Sequence, residues 1–70
     1  MDYGRLIRIG KYSGDPKAVA YIVAIPESAQ AIELIRAKLG ESGDHVEDLG
    51  RVSDALINAM KLESGDFVRA

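Results

Sequence analysis

The triplet Ser-Gly-Asp occurs three times, at Ser13-Gly14-Asp15, Ser42-Gly43-Asp44 and Ser64-Gly65-Asp66. Glycine enters positive φ at little steric cost, and serine and aspartate fold back onto their own backbone, so each triplet reads as a turn. Helices and strands are thereby confined to the segments between them. The second and third triplets follow similar phrases, Lys38-Leu39-Gly40-Glu41 and Lys61-Leu62-Glu63. Their spacing is shorter than a helix pair, so a shared way of leaving a helix explains the echo better than duplication.

With 70 residues, the chain is expected to make one small domain, 1–70, near the lower limit of unaided folding. It contains no cysteine, so no disulfide can staple it, and with one histidine it lacks the ligand set of a structural zinc site. A well-made core or self-association must then supply the stability, which brings in a homodimer as an expectation from size. A hydrophobic content of 47% is that of a globular chain rather than a disordered one. No stretch approaches the ~20 apolar residues that span a bilayer. The start, Met1-Asp2-Tyr3-Gly4-Arg5, lacks a signal-peptide pattern, so a cytoplasmic setting without membrane contact is expected.

Charge is distributed unevenly. Residues 1–40 carry six basic and four acidic side chains, whereas residues 41–70 carry three basic and seven acidic. Such a chain can be dipolar and meet its copies head to tail, or can simply present two unequal solvated faces.

Residues 5–12 read as a strand whose terminal charges and Gly10 point to an edge or a bulge. Ser13-Gly14-Asp15-Pro16 then closes a hairpin. The run 17–25 is the most apolar in the chain. Asp15-Pro16 resembles a helix start, but Val19, Tyr21, Ile22, Val23 and Ile25 favour a strand, and Pro26 would end a helix early. As a strand it places Val19, Tyr21, Val23 and Ile25 on one face and Ala18, Ala20, Ile22 and Ala24 on the other. The first helix follows, with Ser28 as its cap, Ala31, Ile32, Ile35 and Leu39 as its apolar stripe, and Gly40 as a left-handed exit.

Two parses compete from Asp44 to Leu62. In the first, Asp44 and Glu47 make a capping box for one long helix with Val46, Leu49, Val52, Leu56, Ile57 and Met60 on its stripe. In the second, a strand ends near Gly50 and a new helix starts at Ser53. The continuous helix is preferred, since a good cap offsets the roughly 1 kcal/mol cost of Gly50. Phe67 and Val68 then form a short terminal strand. The expected fold is α+β, a β-β-α-α-β domain with a three-stranded, mostly antiparallel sheet and two helices packed on one face.

Little in the chain suits catalysis. His45 lies near Ser42 and Ser53, yet there is no Gly-x-Ser-x-Gly elbow. Asp44, His45 and Asp48 could approach a metal, but Asp44 is better used as a cap and no second histidine exists. Glu47 and Asp48 are neighbours that do not face each other on a helix. Phosphate-binding glycine motifs are absent. The chain is therefore read as non-enzymatic, with no cofactor or metal, and a small enzyme around Asp44 and His45 is kept as an outsider.

Two binding surfaces remain. The small-residue face Ala18, Ala20, Ile22 and Ala24, left open by helices packed on the other side, would be an interface with a second copy or another protein. Alternatively Arg5, Arg8, Lys11 and Lys17, interleaved with Tyr12, would bind single-stranded nucleic acid through the hairpin 5–17. The first is preferred, because Arg5 and Lys11 alternate away from Arg8.

Overall fold

The computed structural model describes residues 3–40 and 43–70; Glu41 and Ser42 of the second turn, and Met1 and Asp2 of the start, lie outside the described residues. In chain order the elements are β1 (Gly4–Gly10), β2 (Val19–Val23), α1 (Ser28–Leu39), β3 (His45–Val52), α2 (Asp54–Ala59) and β4 (Phe67–Arg69). The four strands form one antiparallel sheet in the order β3-β1-β2-β4. The α+β class is as expected; the sheet has four strands rather than three.

The extra strand is β3, and it replaces the first half of the expected long helix. Gly50 has φ of 132°, which no α-helix accommodates and which a side chain rarely adopts. A shift of register opposite Leu6 and Ile7 marks a bulge there, where Leu49 is the unpaired residue. β1 is consequently an interior strand, not an edge, and the bulge belongs to its neighbour. Helix α2 starts after Ser53, whose hydroxyl oxygen accepts from the Leu56 N–H at 3.2 Å, as the second parse has it.

The hairpin, the first helix and the terminal strand form near their expected places. Gly14, Gly43 and Gly65 all have φ between 80° and 90°, so each triplet turns through its glycine. Asp15 accepts from the Lys11 and Lys17 N–H groups at 2.8 and 2.9 Å, and Asp66 from the Glu63 N–H at 3.0 Å. Two details of α1 differ. Glu27 is its N-cap residue, and Ser28 opens the helix with its hydroxyl turned to Asp48. Gly40 leaves α1 at φ −79°, an extended conformation, and glycine is needed there because a Cβ would lie 2.7 Å from the Arg36 carbonyl oxygen.

Adjacent strand residues point to opposite faces, and each face has its own core. Between α1 and the sheet, Ala31 and Ile35 of the helix meet Ile7 and Val23 of the strands, all four fully buried, with Ile9, Tyr21, Ile32, Val46 and Phe67 around them. The Tyr21 and Phe67 rings meet edge to face, 5.9 Å between centroids. A fully buried isoleucine contributes about 1.5–3 kcal/mol, so Ile7 and Ile35 anchor this layer. On the other face Ile57 of α2 packs on Ile22, Ala24 and Val52, with Leu6, Leu62 and Val68 beside them.

The helices thus sandwich the sheet instead of sharing a face. Side-by-side packing presupposes a short loop between two helices, and here a whole strand intervenes. Two residues of the expected open face, Ile22 and Ala24, are in consequence only 8% and 6% exposed.

Candidate functional site

The second face is only partly roofed. Its rows, read across the pairing registers, run Val52, Gly4; Gly50, Leu6, Ile22, Val68; Glu47, Arg8, Ala20; and finally His45, Gly10. A Cβ on Gly10 would lie 2.9 Å from the Ala18 Cβ, which places Ala18 at the end of the last row. Helix α2 is six residues long, about 9 Å at 1.5 Å per residue. It covers the first two rows and stops short of the other two. Ala18, Ala20, Arg8, Glu47 and His45 are all half-exposed.

The open rows have a small side and a charged side. Ala18 and Ala20 keep the β2 side low, whereas the space over Gly10 is taken up by the Ala18 and Asp15 side chains. On the β3 side Arg8 donates to Glu47 Oε1 through both Nε, at 2.9 Å, and Nη2. His45 Nε2 stands 3.8 Å from the same carboxylate oxygen. Hydrogen bonding from Arg8, against a smaller opposing effect of burial, holds Glu47 below the usual carboxylate range.

Of the predicted interface residues, the structure brings Ala18 and Ala20 onto this open half and puts Ile22 and Ala24 under α2. The predicted nucleic-acid set is divided. Arg5 lies on the α1 face, where Nη1 is 3.3 Å from Asp48 and Nε donates to the Pro26 carbonyl. Arg8 lies on the opposite face with Glu47, and Lys11 reaches Asp44 at 3.3 Å. Lys17 and Tyr12 are exposed in the hairpin loop. The basic first half and acidic second half of the sequence are therefore joined along β1 and β3, where successive cations meet successive carboxylates. Three of the six basic side chains of residues 1–40 and three of the seven acidic ones of residues 41–70 are taken up in these pairs.

Asp44, His45 and Asp48 are not brought together: Asp48 faces α1, while His45 faces away. Among the described residues no three His, Cys, Asp or Glu side chains are grouped to hold a metal ion. A pocket of about 70 Å³ between Tyr3, Ala24, Pro26, Ile57 and Leu62 has room for about two waters. A shallower groove of about 330 Å³ is floored by Ile9, Val19, Tyr21 and Leu39. Asp15 and Asp44 at its rim offset Lys11 and Lys17, so it has no charge preference.

Glu47 and His45 were missed as members of a binding face because their segment was read as helix. The available signal was the alternation of His45 and Glu47 with Val46 and Asp48, which separates two faces only at the period of a strand. Comparison with protein-family models, with curated proteins and with solved structures found no match. Among the described residues no helix is long and apolar enough to cross a membrane.

Proposed function

We propose that the chain is a non-enzymatic interaction module whose partner is a second copy of itself, docked on the uncovered rows of the second face. One observation carries the reading: α2 stops short of Ala18, Ala20, Arg8, Glu47 and His45, leaving a low surface that holds one cation beside one carboxylate. Such a patch can meet a copy of itself across a two-fold axis, because the Arg8–Glu47 pair of each chain is closed on itself and sets no like charge against its counterpart. The sheet edges are poorer candidates. β3 is twisted by its bulge and lined with charge, and β4 is three residues long; both are devices that discourage strand addition.

The size of the patch sets the strength. Two rows across three strands, at about 4.8 Å per strand and 3.3 Å per residue, measure roughly 14 by 13 Å. A standard interface takes about 800 Å² from each partner, more than a sixth of the 4542 Å² surface of the described chain. The expected dimer is accordingly weak and depends on concentration.

Sedimentation velocity over a concentration series tests this. Wild type is expected to move from monomer to dimer, and Ala20→Glu to stay monomeric with an unchanged far-UV spectrum and melting curve. Wild type that remains monomeric throughout, or a folded Ala20→Glu that dimerises equally well, would overturn the reading. Ala24→Glu is unsuitable, since it buries a charge beneath Ile57 and would unfold the chain. Binding to single-stranded RNA that weakens steeply with salt would instead favour the nucleic-acid alternative. That reading ranks second because Arg5 and Arg8 occupy opposite faces and each already engages a carboxylate.

A further inference from the structure

We infer that the groove at the hairpin end of the α1 face binds a small zwitterion with an apolar side chain, a free apolar amino acid, on the side of the sheet opposite the self-association surface. Its floor is a strip of the sheet that α1 covers only in part. Ile9 and Val19 are cross-strand partners there, Tyr21 lies in the neighbouring row, and Leu39 at the end of α1 closes the strip. Ile9, Val19 and Tyr21 are half-buried and Leu39 is exposed. The volume of about 330 Å³ falls at the lower end of the roughly 300–1,000 Å³ of small-molecule pockets, whose usual lining is also apolar with a few polar groups.

The charges beside that floor are ordered. Alternation along the strands carries Asp44, Lys11 and Lys17 onto the α1 side, in the row beyond Val46, Ile9 and Val19. The strand order β3-β1-β2 sets them out as carboxylate, ammonium, ammonium from one side of the groove to the other. Lys11 Nζ is 3.3 Å from Asp44 Oδ1, and the Asp44 side chain is 9% exposed against 67% for Lys11. Asp15 completes the balance from behind: its oxygens accept from the Lys11 and Lys17 N–H groups, and its side chain leans over Gly10 toward the second face. The groove is thus neutral in sum, with a negative pole on the β3 side and a positive pole on the β2 side. The two outer strands are about 10 Å apart, and the exposed Lys17 spans much of that distance on its flexible four-carbon stem. A carboxylate accepts up to about four hydrogen bonds, so Asp44 can take an ammonium beside Lys11. A ligand with both charges close together and an apolar body satisfies both poles and the floor. A simple anion, a simple cation or a small zwitterion without a side chain leaves one of the three unmet.

Titration of wild type at fixed protein concentration with L-leucine, glycine, isocaproate and isoamylamine, followed by amide NMR, tests the inference. L-leucine should give saturable shifts at Lys17, Val19, Tyr21 and Leu39 while Ile57 and Leu62, on the second face, stay fixed. Isocaproate lacks the amino group and isoamylamine the carboxylate; each should bind roughly 1.5- to 5-fold more weakly, the range that one exposed ion pair supplies. Glycine, with nothing to lay on the floor, should leave the spectrum unchanged. Lys17→Gln should weaken leucine binding by the same factor and remove most of the advantage of leucine over isoamylamine, while its advantage over isocaproate remains. No saturable shift with leucine, shifts outside the groove, or any of the three analogues binding as tightly as leucine would each overturn the inference, as would a folded Lys17→Gln that keeps the full discrimination. The analogue series is read on wild type, so it decides the matter whether or not the variant folds. Because the ligand lies on the α1 face, its absence would leave the self-association reading standing.

Discussion

Asp48 sits on the α1 side of β3, where burial raises its pKa but the Ser28 hydroxyl, the Gly50 N–H at 2.8 Å and the Arg5 guanidinium together lower it further than burial lifts it. Asp15 is lowered by the N–H groups of Lys11 and Lys17, and Glu47 chiefly by Arg8. A carboxylate with a depressed pKa in the folded chain binds its proton more weakly there than when unfolded. Its contribution to stability is complete above the ordinary values of 3.8 for aspartate and 4.5 for glutamate, and is lost as pH falls through the lowered ones. Urea midpoints should hold steady from about pH 7 to 5 and drop below about pH 4; a midpoint that improves on acidification would contradict the assignment. Asp48→Asn keeps the shape but removes the ion pair and weakens the anchor on Gly50, at a cost of about 1–3 kcal/mol. The same substitution should flatten part of the acid response in urea titrations. None of this was visible in a helical reading of residues 44–62, which turned Asp48 to solvent.

Helix α2 is far shorter than the ~12 residues that hold a helix together in isolation. It persists because Ser53 caps its first turn and Ile57 is buried against Ile22, Ala24 and Val52. Ser53→Ala is expected to cost about 0.5–2 kcal/mol and to speed hydrogen exchange at the Leu56 and Ile57 amides while those of α1 keep their protection. Equal acceleration in both helices would mean that α2 does not open as a separate unit. The elements that were legible, the β1–β2 hairpin, α1 and β4, are specified locally by turn residues, β-branched runs and a clean helical stripe. β3 was not, for two physical reasons. Val46, Leu49 and Val52 recur at a spacing of three, which imitates a helix stripe although Leu49 is the unpaired residue of a bulge. The strand also carries charge on both faces, because its true partners, Arg8 for Glu47 and Arg5 for Asp48, lie about forty residues earlier in the chain. Long-range complementarity of that kind leaves no periodic trace.

For the whole molecule, misplacing β3 shifted the expected open surface by half a face. The greasy central strand was identified correctly, and its larger side chains do meet α1. Its alanine side is shared, with Ile22 and Ala24 beneath α2 and Ala18 and Ala20 beyond its reach. The radius of gyration of 11.4 Å is close to the roughly 11 Å of a compact chain of this length, so the three layers close efficiently even with that half-face uncovered. Self-association through those rows is the claim on which the functional account turns, and residue-resolved NMR during dilution reads it most directly. Amide shifts should move with concentration at Arg8, Gly10, Ala18, Ala20, His45 and Glu47, and stay fixed at Leu56, Met60 and the α1 surface. Spectra that do not change with concentration, or changes confined to α1 or α2, would contradict it.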